Sequence, residues 1–369
     1  MSTDPRGRAF RLEGVEVRPL TLPLATPLVT ARERYLRREL LLLRVCLEID
    51  GRTQHGWGEA APLPGWNDAD LEDLALVAEG LGRGSDQRSL SALLREESGL
   101  DTRPALRFGI ECAVLDALSR ADGIPLAAAL AGARGLEAAR GVAVQCTLGD
   151  CEAPVAIEAL ARARQAGFTH AKLKIGARDP RADLARIRAI ALAQPDMTLR
   201  LDANGALQVD EALELLAALP PERVEWVEQP VSDAEFDALL AQYDGAGPAI
   251  AADESCCDPD RAAGLLGTGR LGAVVVKPAA LGGLDRAEVL FAQAAEAGAK
   301  VMISNLMESA VGRTAVAHLA AAWPNLSGPH GLATGGWFAH DLAPEADRIS
   351  DGRLSLRPGP GLGFEPELD

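Results

Sequence analysis

The chain has 369 residues, enough for a large buried core and a smaller second unit. Its 53 acidic against 37 basic residues give a formal net charge of −16, a surface that repels phosphate backbones and argues against nucleic-acid binding. Hydrophobic residues make up 48%, yet no apolar run reaches the roughly 18 residues of a membrane helix, and the charged stretch Met1 to Arg11 lacks the apolar core of a signal peptide.

The six cysteines (Cys46, Cys112, Cys146, Cys151, Cys256 and Cys257) contain no Cys-x-x-Cys pair, and the adjacent Cys256 and Cys257 do not suit a relaxed disulfide. They read as reduced packing residues of a cytosolic protein. None of the five histidines is spaced as a helical ligand pair.

In chain order, Val15 to Leu22 and Glu39 to Ile49 predict paired strands, and Asp50-Gly51 predicts a hairpin into a third strand, Thr53 to Glu59. The basic segment 26–37 reads as a flap. Helical spacing follows over Asp68 to Leu81, Ser89 to Glu97, Pro104 to Ala121 and Pro125 to Leu130. Residues 1–135 therefore predict a small α+β capping domain. From about residue 141 short apolar runs alternate with amphipathic helices. The runs are Gly141–Leu148, Ala171–Ile175, Thr198–Asp202, Val224–Glu228, Ala249–Ala252, Gly272–Lys277, Lys300–Ser304 and His330–Ala333. Eight apolar strands, each followed by a helix, predict an α/β fold: a (β/α)8-type barrel over 136–340. The tail 341–369 is expected to pack back on the capping domain and complete it.

The chemistry gathers where these strands end. Lys172 and Lys174, two apart, share one face of their strand. The next four strands end at Asp202, Glu228, Ala252 just before Asp253-Glu254, and Lys277, and the seventh ends at Ser304. A lone strand-end acid is usually a helix cap. Charged ends on five consecutive strands are another matter, because unpaired charges at a barrel mouth cost several kcal/mol each. Three neighbouring carboxylates repel, so a hard cation taking oxygen ligands is expected among Asp202, Glu228 and Asp253: magnesium, with manganese the alternative. Alternation of side chains predicts that only one of Asp253 and Glu254 reaches it. Lysines on strands two and six would then flank the cation from opposite sides. Such a site suits removal of a proton beside a carboxylate, the charge of the enediolate being stabilised as it forms. His170 reads as a surface residue, and Gly282-Gly283 as a plain loop.

The pattern resembles the enolase superfamily, specifically its muconate-lactonizing subgroup. The matching residues are Lys172-Leu173-Lys174, Asp202-Ala203-Asn204, Glu228-Gln229-Pro230, Asp253-Glu254-Ser255 and Lys277-Pro278. Gly56-Trp57-Gly58-Glu59-Ala60 and Arg107-Phe108-Gly109-Ile110-Glu111 look like that family's capping domain. The segments Ser304 to Gly312 and His330 to Gly335 are most similar to the o-succinylbenzoate synthases. Dipeptide epimerases carry an Asp-x-Asp pair near strand eight that is missing here, and mandelate-racemase-like members have a histidine where this chain has Lys277.

The resemblance implies a small-molecule carboxylate substrate and syn dehydration to o-succinylbenzoate in menaquinone biosynthesis. Lys174 would be the acid/base, Lys277 the cation that stabilises the enediolate, and Lys172 the holder of the substrate carboxylate. Asn204, Ser304 and Gly331 would line the pocket for the succinyl tail, although Ser304-Asn305 replaces the two consecutive serines often found in the synthases. The segment 26–37, with Arg38, would close over the substrate. Alternatives are racemisation of N-succinylamino acids, cycloisomerisation of a muconate, and a non-catalytic barrel that only binds. Self-association is common in the family.

Overall fold

The computed structural model describes residues 4–29, 34–67, 69–82, 86–343 and 348–368. Three antiparallel strands come first: β1 (Ala9–Val29), β2 (Arg34–Ile49) and β3 (Arg52–Ala60). Asp50 (φ 52°) and Gly51 (φ 76°) are both left-handed, the turn whose twist matches the flanking strands. β2 lies between its neighbours, and its Leu40 to Leu43, Val45 and Leu47 are buried. Helix α1 (Pro104–Ala121) packs across β3 and β2. Gly56 and Gly58 allow this close approach, because a Cβ at either would strike the helix carbonyls of Ala113 or Gly109. Of the expected flap 26–37, residues 30–33 lie outside the described ones. The remainder belongs to the β1–β2 ribbon, where Leu28 stands opposite Tyr35.

The barrel strands run parallel in sequence order: β4 (Cys146–Leu148), β5 (His170–Lys174), β6 (Thr198–Asp202), β7 (Val224–Glu228), β8 (Ala249–Ala252), β9 (Ala273–Val276) and β10 (Lys300–Ile303). Helices cover the outside of this ring and side chains fill the inside, which is apolar on β8 and β9 and carries His170, Lys172, Lys174, Arg200 and Asp202 on β5 and β6. Val227, Ile250, Val274, Val276 and Ile303 belong to the large core shared with the helices. Trp226, Ala251, Ala273, Val275 and Met302 pack separately, inside the ring.

Two differences from the sequence expectation stand out. The first barrel strand is split: Gly141–Ala143 pairs with Arg353–Ser355 of the tail, and only β4 enters the barrel sheet. The eighth strand is reduced to bridges, Val144 with His330 and Ser304 with Gly331. They close the ring through Gln145 N to His330 O (2.9 Å) and Gly331 N to Ile303 O (2.8 Å). Pro329, just ahead, has no N–H to offer a ladder, which shortens the pairing.

The tail returns to the N-terminal layer. Leu362 N donates to Asp116 Oδ1 (2.7 Å), Leu126 N to Gly361 O (2.8 Å), and Arg120 to Phe364 O (2.7 Å). Among the described residues no helix is long and apolar enough to cross a membrane.

Candidate active site

Period two places the reactive groups. Each lies two residues beyond a side chain that fills the barrel interior: Asp202 after Arg200, Glu228 after Trp226, Asp253 after Ala251, Lys277 after Val275 and Ser304 after Met302. The ladder also levels them, pairing Lys174 with Asp202 and Asp202 with Glu228.

Above these ends lies a cavity of about 460 Å³, a volume suited to a small organic ligand. Lys172, Lys174, Asp202, Asn204, Asp253, Lys277, Ser304 and Gly331 all line it. Glu228 is fully buried just beneath Lys172, whose Nζ donates to Glu228 Oε1 (2.7 Å) and lies 2.9 Å from Asp202 Oδ2. Lys174 Nζ donates to Asn204 Oδ1 and sits 3.7 Å from Asp202 Oδ2. On the opposite wall Lys277 Nζ donates to Asp253 Oδ2 (2.6 Å) and lies 3.6 Å from the centre of the Trp66 ring.

Asp253 and Glu254 both line the cavity, although neighbouring residues of a strand would point to opposite faces. Alternation holds only within a strand, and here β8 ends at Ala252 and the chain turns into a 3₁₀ helix, Glu254–Cys256. Asn204 Nδ2 donates to Glu254 Oε1 (3.2 Å). Gln229 fixes this turn: its Oε1 accepts from Asp253 N (3.1 Å) and Ser255 N (3.3 Å), and its Nε2 donates to Ser255 Oγ (2.8 Å). Asn204 (φ 45°), Gln229 (φ 41°) and Met307 (φ 61°) are left-handed just past strand ends, the kind of strain that gathers at functional sites.

The charges do not balance. Burial works against the charge of Lys172, but Asp202 and Glu228 outweigh it and hold the ammonium well above its ordinary range. Burial likewise opposes Lys277, and Asp253 keeps it charged. Burial pushes Glu228 up to about 8; Lys172 opposes this while Asp202 and Asp253 add to it. Burial raises Asp253 as well, and Lys277 only partly offsets it. Asp202 goes the other way, because Lys172 and Lys174 outweigh its burial.

Four carboxylates thus face three ammoniums, and Glu228 Oε2, Asp253 Oδ1 and Glu254 Oε2 are buried with no hydrogen-bond partner. Orphaned carboxylate oxygens beside one another are the donor set of a hard divalent cation, so the residues present fit one. Among the described residues no three acidic, histidine or cysteine side chains close into a finished cage. The ammoniums of Lys172 and Lys277 occupy the carboxylates' inner faces instead.

One lining residue, Trp66, carried no signal in the sequence. Trp66 arrives on a loop after β3, pinned by Asn67, whose Oδ1 accepts from Leu63 N (2.8 Å) and whose Nδ2 reaches Ala279 O (3.3 Å). Arg38 is buried outside the cavity and donates to the carbonyls of Ala61 (2.9 Å), Pro62 (3.0 Å) and Met307 (3.2 Å). His170 lies at the far end of β5, part-buried, 3.7 Å from Glu225. Gly282 and Gly283 press against Arg107 and Glu111 of α1 where the two layers meet: Arg107 donates to Gly282 O (2.7 Å), and a Cβ at Gly283 would strike both side chains. All six cysteines are free thiols.

Residues 155–369 match the family model described as enolase C-terminal domain-like. Muconate cycloisomerase 1 of Rhodococcus opacus is 30% identical over 365 residues, 96% of each chain. The o-succinylbenzoate synthase of Thermosynechococcus vestitus is 31% identical over 306 residues, 82% of this chain and 86% of the relative. A dipeptide epimerase from Methylococcus capsulatus, solved with Mg and the dipeptide L-Arg-D-Lys, superposes with a TM-score of 0.84 at 27% identity, covering 96% of this chain and 99% of that one. Two opposed lysines over a nest of acids, on a capped parallel barrel, are thus found in a chain that belongs to the enolase superfamily, in its muconate-lactonizing-like subgroup.

Proposed function

We propose that this protein removes the proton beside a substrate carboxylate, with Lys174 as the base and Lys277 as the opposing cation, and that the reaction is syn dehydration of 2-succinyl-6-hydroxy-2,4-cyclohexadiene-1-carboxylate to o-succinylbenzoate in the cytoplasm. The observation that carries it is the pair of lysines facing one cavity from β5 and the end of β9, over buried carboxylates with unpaired oxygens. Asp202, Glu228 and Asp253 would hold a magnesium ion, with Glu254 alongside. Bound there, the ion supplies positive charge to the substrate carboxylate oxygens as they become more negative.

The protein's own groups do the rest. Lys172 orients the substrate carboxylate. Lys174 takes the α-proton as its C–H bond breaks. The C–O bond to the ring hydroxyl then breaks on the same face, the oxygen leaves with the bonding pair, and Lys174 returns the proton to it as water departs. Lys277, kept charged by Asp253, faces the other side of the ring and stabilises its added negative charge. The absence of an Asp-x-Asp pair around His330 to Thr334 argues against an amine-bearing dipeptide.

The test is consumption of that cyclohexadiene by purified protein with magnesium, abolished by EDTA. Folded protein that neither turns it over nor exchanges an α-proton for deuterium would reject the reading. Racemisation of N-succinylamino acids is the second reading, favoured by the placement of Lys174 and Lys277 on opposite walls. Washout of deuterium from both enantiomers separates it from dehydration.

A further inference from the structure

The barrel floor holds an arginine that the proposed chemistry does not use. Arg200 is completely buried, its guanidinium 3.9 Å from the centre of the Trp226 ring. Its Nε donates to Glu225 Oε2 (2.7 Å), and its Nη1 to Pro329 O and to Gln145 Oε1 (2.8 Å). Gln145 is 1% exposed, yet it lines the cavity. A guanidinium can only donate. Arg200 therefore claims the oxygen of the Gln145 amide and leaves its NH₂ on the other side.

We infer that Gln145 is a specificity-determining substrate contact, its amide NH₂ held toward the cavity by Arg200 to receive an acceptor oxygen on the part of the substrate remote from the reacting carbon. This rests on the functional reading above. The surroundings support it. The cavity wall built by Gln145 and Thr147 at the start of the barrel sheet, by the end of β10 and by the bridge at Gly331 carries no charge; every charged residue among the described lining residues falls between Lys172 and Lys277. Two donors nearby are already engaged: Ser304 Oγ with Gly331 O (3.3 Å) and Asn305 Nδ2 with Thr334 Oγ1 (2.9 Å). An ammonium would find no carboxylate on this wall, whereas a ketone or carboxylate oxygen finds the Gln145 amide. The fixed donor also selects by omission, since a tail without oxygens leaves it buried and unpaired.

The decisive variant is Q145E. Its carboxylate still accepts from Arg200, so the contact within the floor survives, while the group offered to the cavity changes from donor to acceptor. Q145M removes the donor without adding charge. Binding of 2-succinylbenzoate and of 2-butylbenzoate, whose tail has no oxygens, is measured by calorimetry with magnesium present, and thermal unfolding checks that each variant is folded. The expected result is loss of 2-succinylbenzoate affinity on the order of tenfold to a hundredfold in both variants, with 2-butylbenzoate bound by Q145M at least as tightly as by the wild type, because the donor that its tail leaves unpaired is gone. Equal binding of 2-succinylbenzoate by Q145E and wild type, or parallel loss of both ligands, overturns the assignment of Gln145 and leaves the lysine chemistry standing. Wild-type protein that binds neither ligand and exchanges no α-proton overturns both.

Discussion

Glu308 sits behind the loop that lines the cavity, fully buried, beside a second buried carboxylate, Glu59. Its Oε2 accepts from Leu306 N (2.6 Å), but its Oε1 has no partner. Burial, and next the nearby Glu59, push its carboxyl up from the ordinary 4.5 to about 7. A carboxyl whose pKa is raised on folding favours the protonated form. Its contribution to stability is therefore fully present below about 4.5 and lost as pH rises through about 7. The difference between those values corresponds to about 3 kcal/mol. Glu308→Gln keeps an oxygen for Leu306 N and cannot ionise. Urea unfolding at a series of pH values should show wild type and variant equally stable near pH 4.5 and the variant ahead by up to about 3 kcal/mol at pH 8. Parallel stability curves across that window would refute the argument, because they would mean that Glu308 titrates alike in the folded and unfolded chains.

Further outcomes follow from the site. Magnesium at a hundred times its dissociation constant should stabilise wild type by about 2.7 kcal/mol, and Glu228→Gln should abolish that gain while leaving the metal-free protein at least as stable, since the amide oxygen can still accept from Lys172 and the crowding of buried acids that raises the Glu228 carboxyl is relieved; thermal melts with and without magnesium decide this. Lys174→Ala should reduce α-proton exchange at least about a thousandfold while the dissociation constant of 2-succinylbenzoate moves far less; comparable losses in both would make Lys174 a binding residue. Trp66→Ala should weaken the hold on Lys277 and lower turnover, with recovery in Trp66→Phe, because a cation–π contact needs only a ring face; steady-state rates for the two variants test it.

How far the sequence could be read depended on whether a residue lay on a regular strand. Asp202, Glu228 and Lys277 were legible because alternation, once the strand is recognised, fixes which way its end points. The bounds of β6 to β8 fall where the sequence reading put them, even though Arg200 and Glu225 interrupt the apolar runs of β6 and β7. The rule failed where regularity stops. Glu254 turns inward through a 3₁₀ helix, and Gln145 follows the break in a strand expected to be continuous. Trp66 was invisible because it comes from the N-terminal layer, and single-chain periodicity carries no information about which loop meets which barrel mouth.

The partners of Arg38 are main-chain carbonyls from two distant stretches, 61–62 and 306–307. No substitution can delete a carbonyl, so the side chains at those positions are free to change size and polarity while the clasp between the sheet and the cavity rim persists. A lysine at position 38, with a single point of attachment, could not span both stretches. Diversification of substrate choice by this scaffold therefore has a fixed pivot: neighbouring side chains can be rewritten without loosening the joint that seats them.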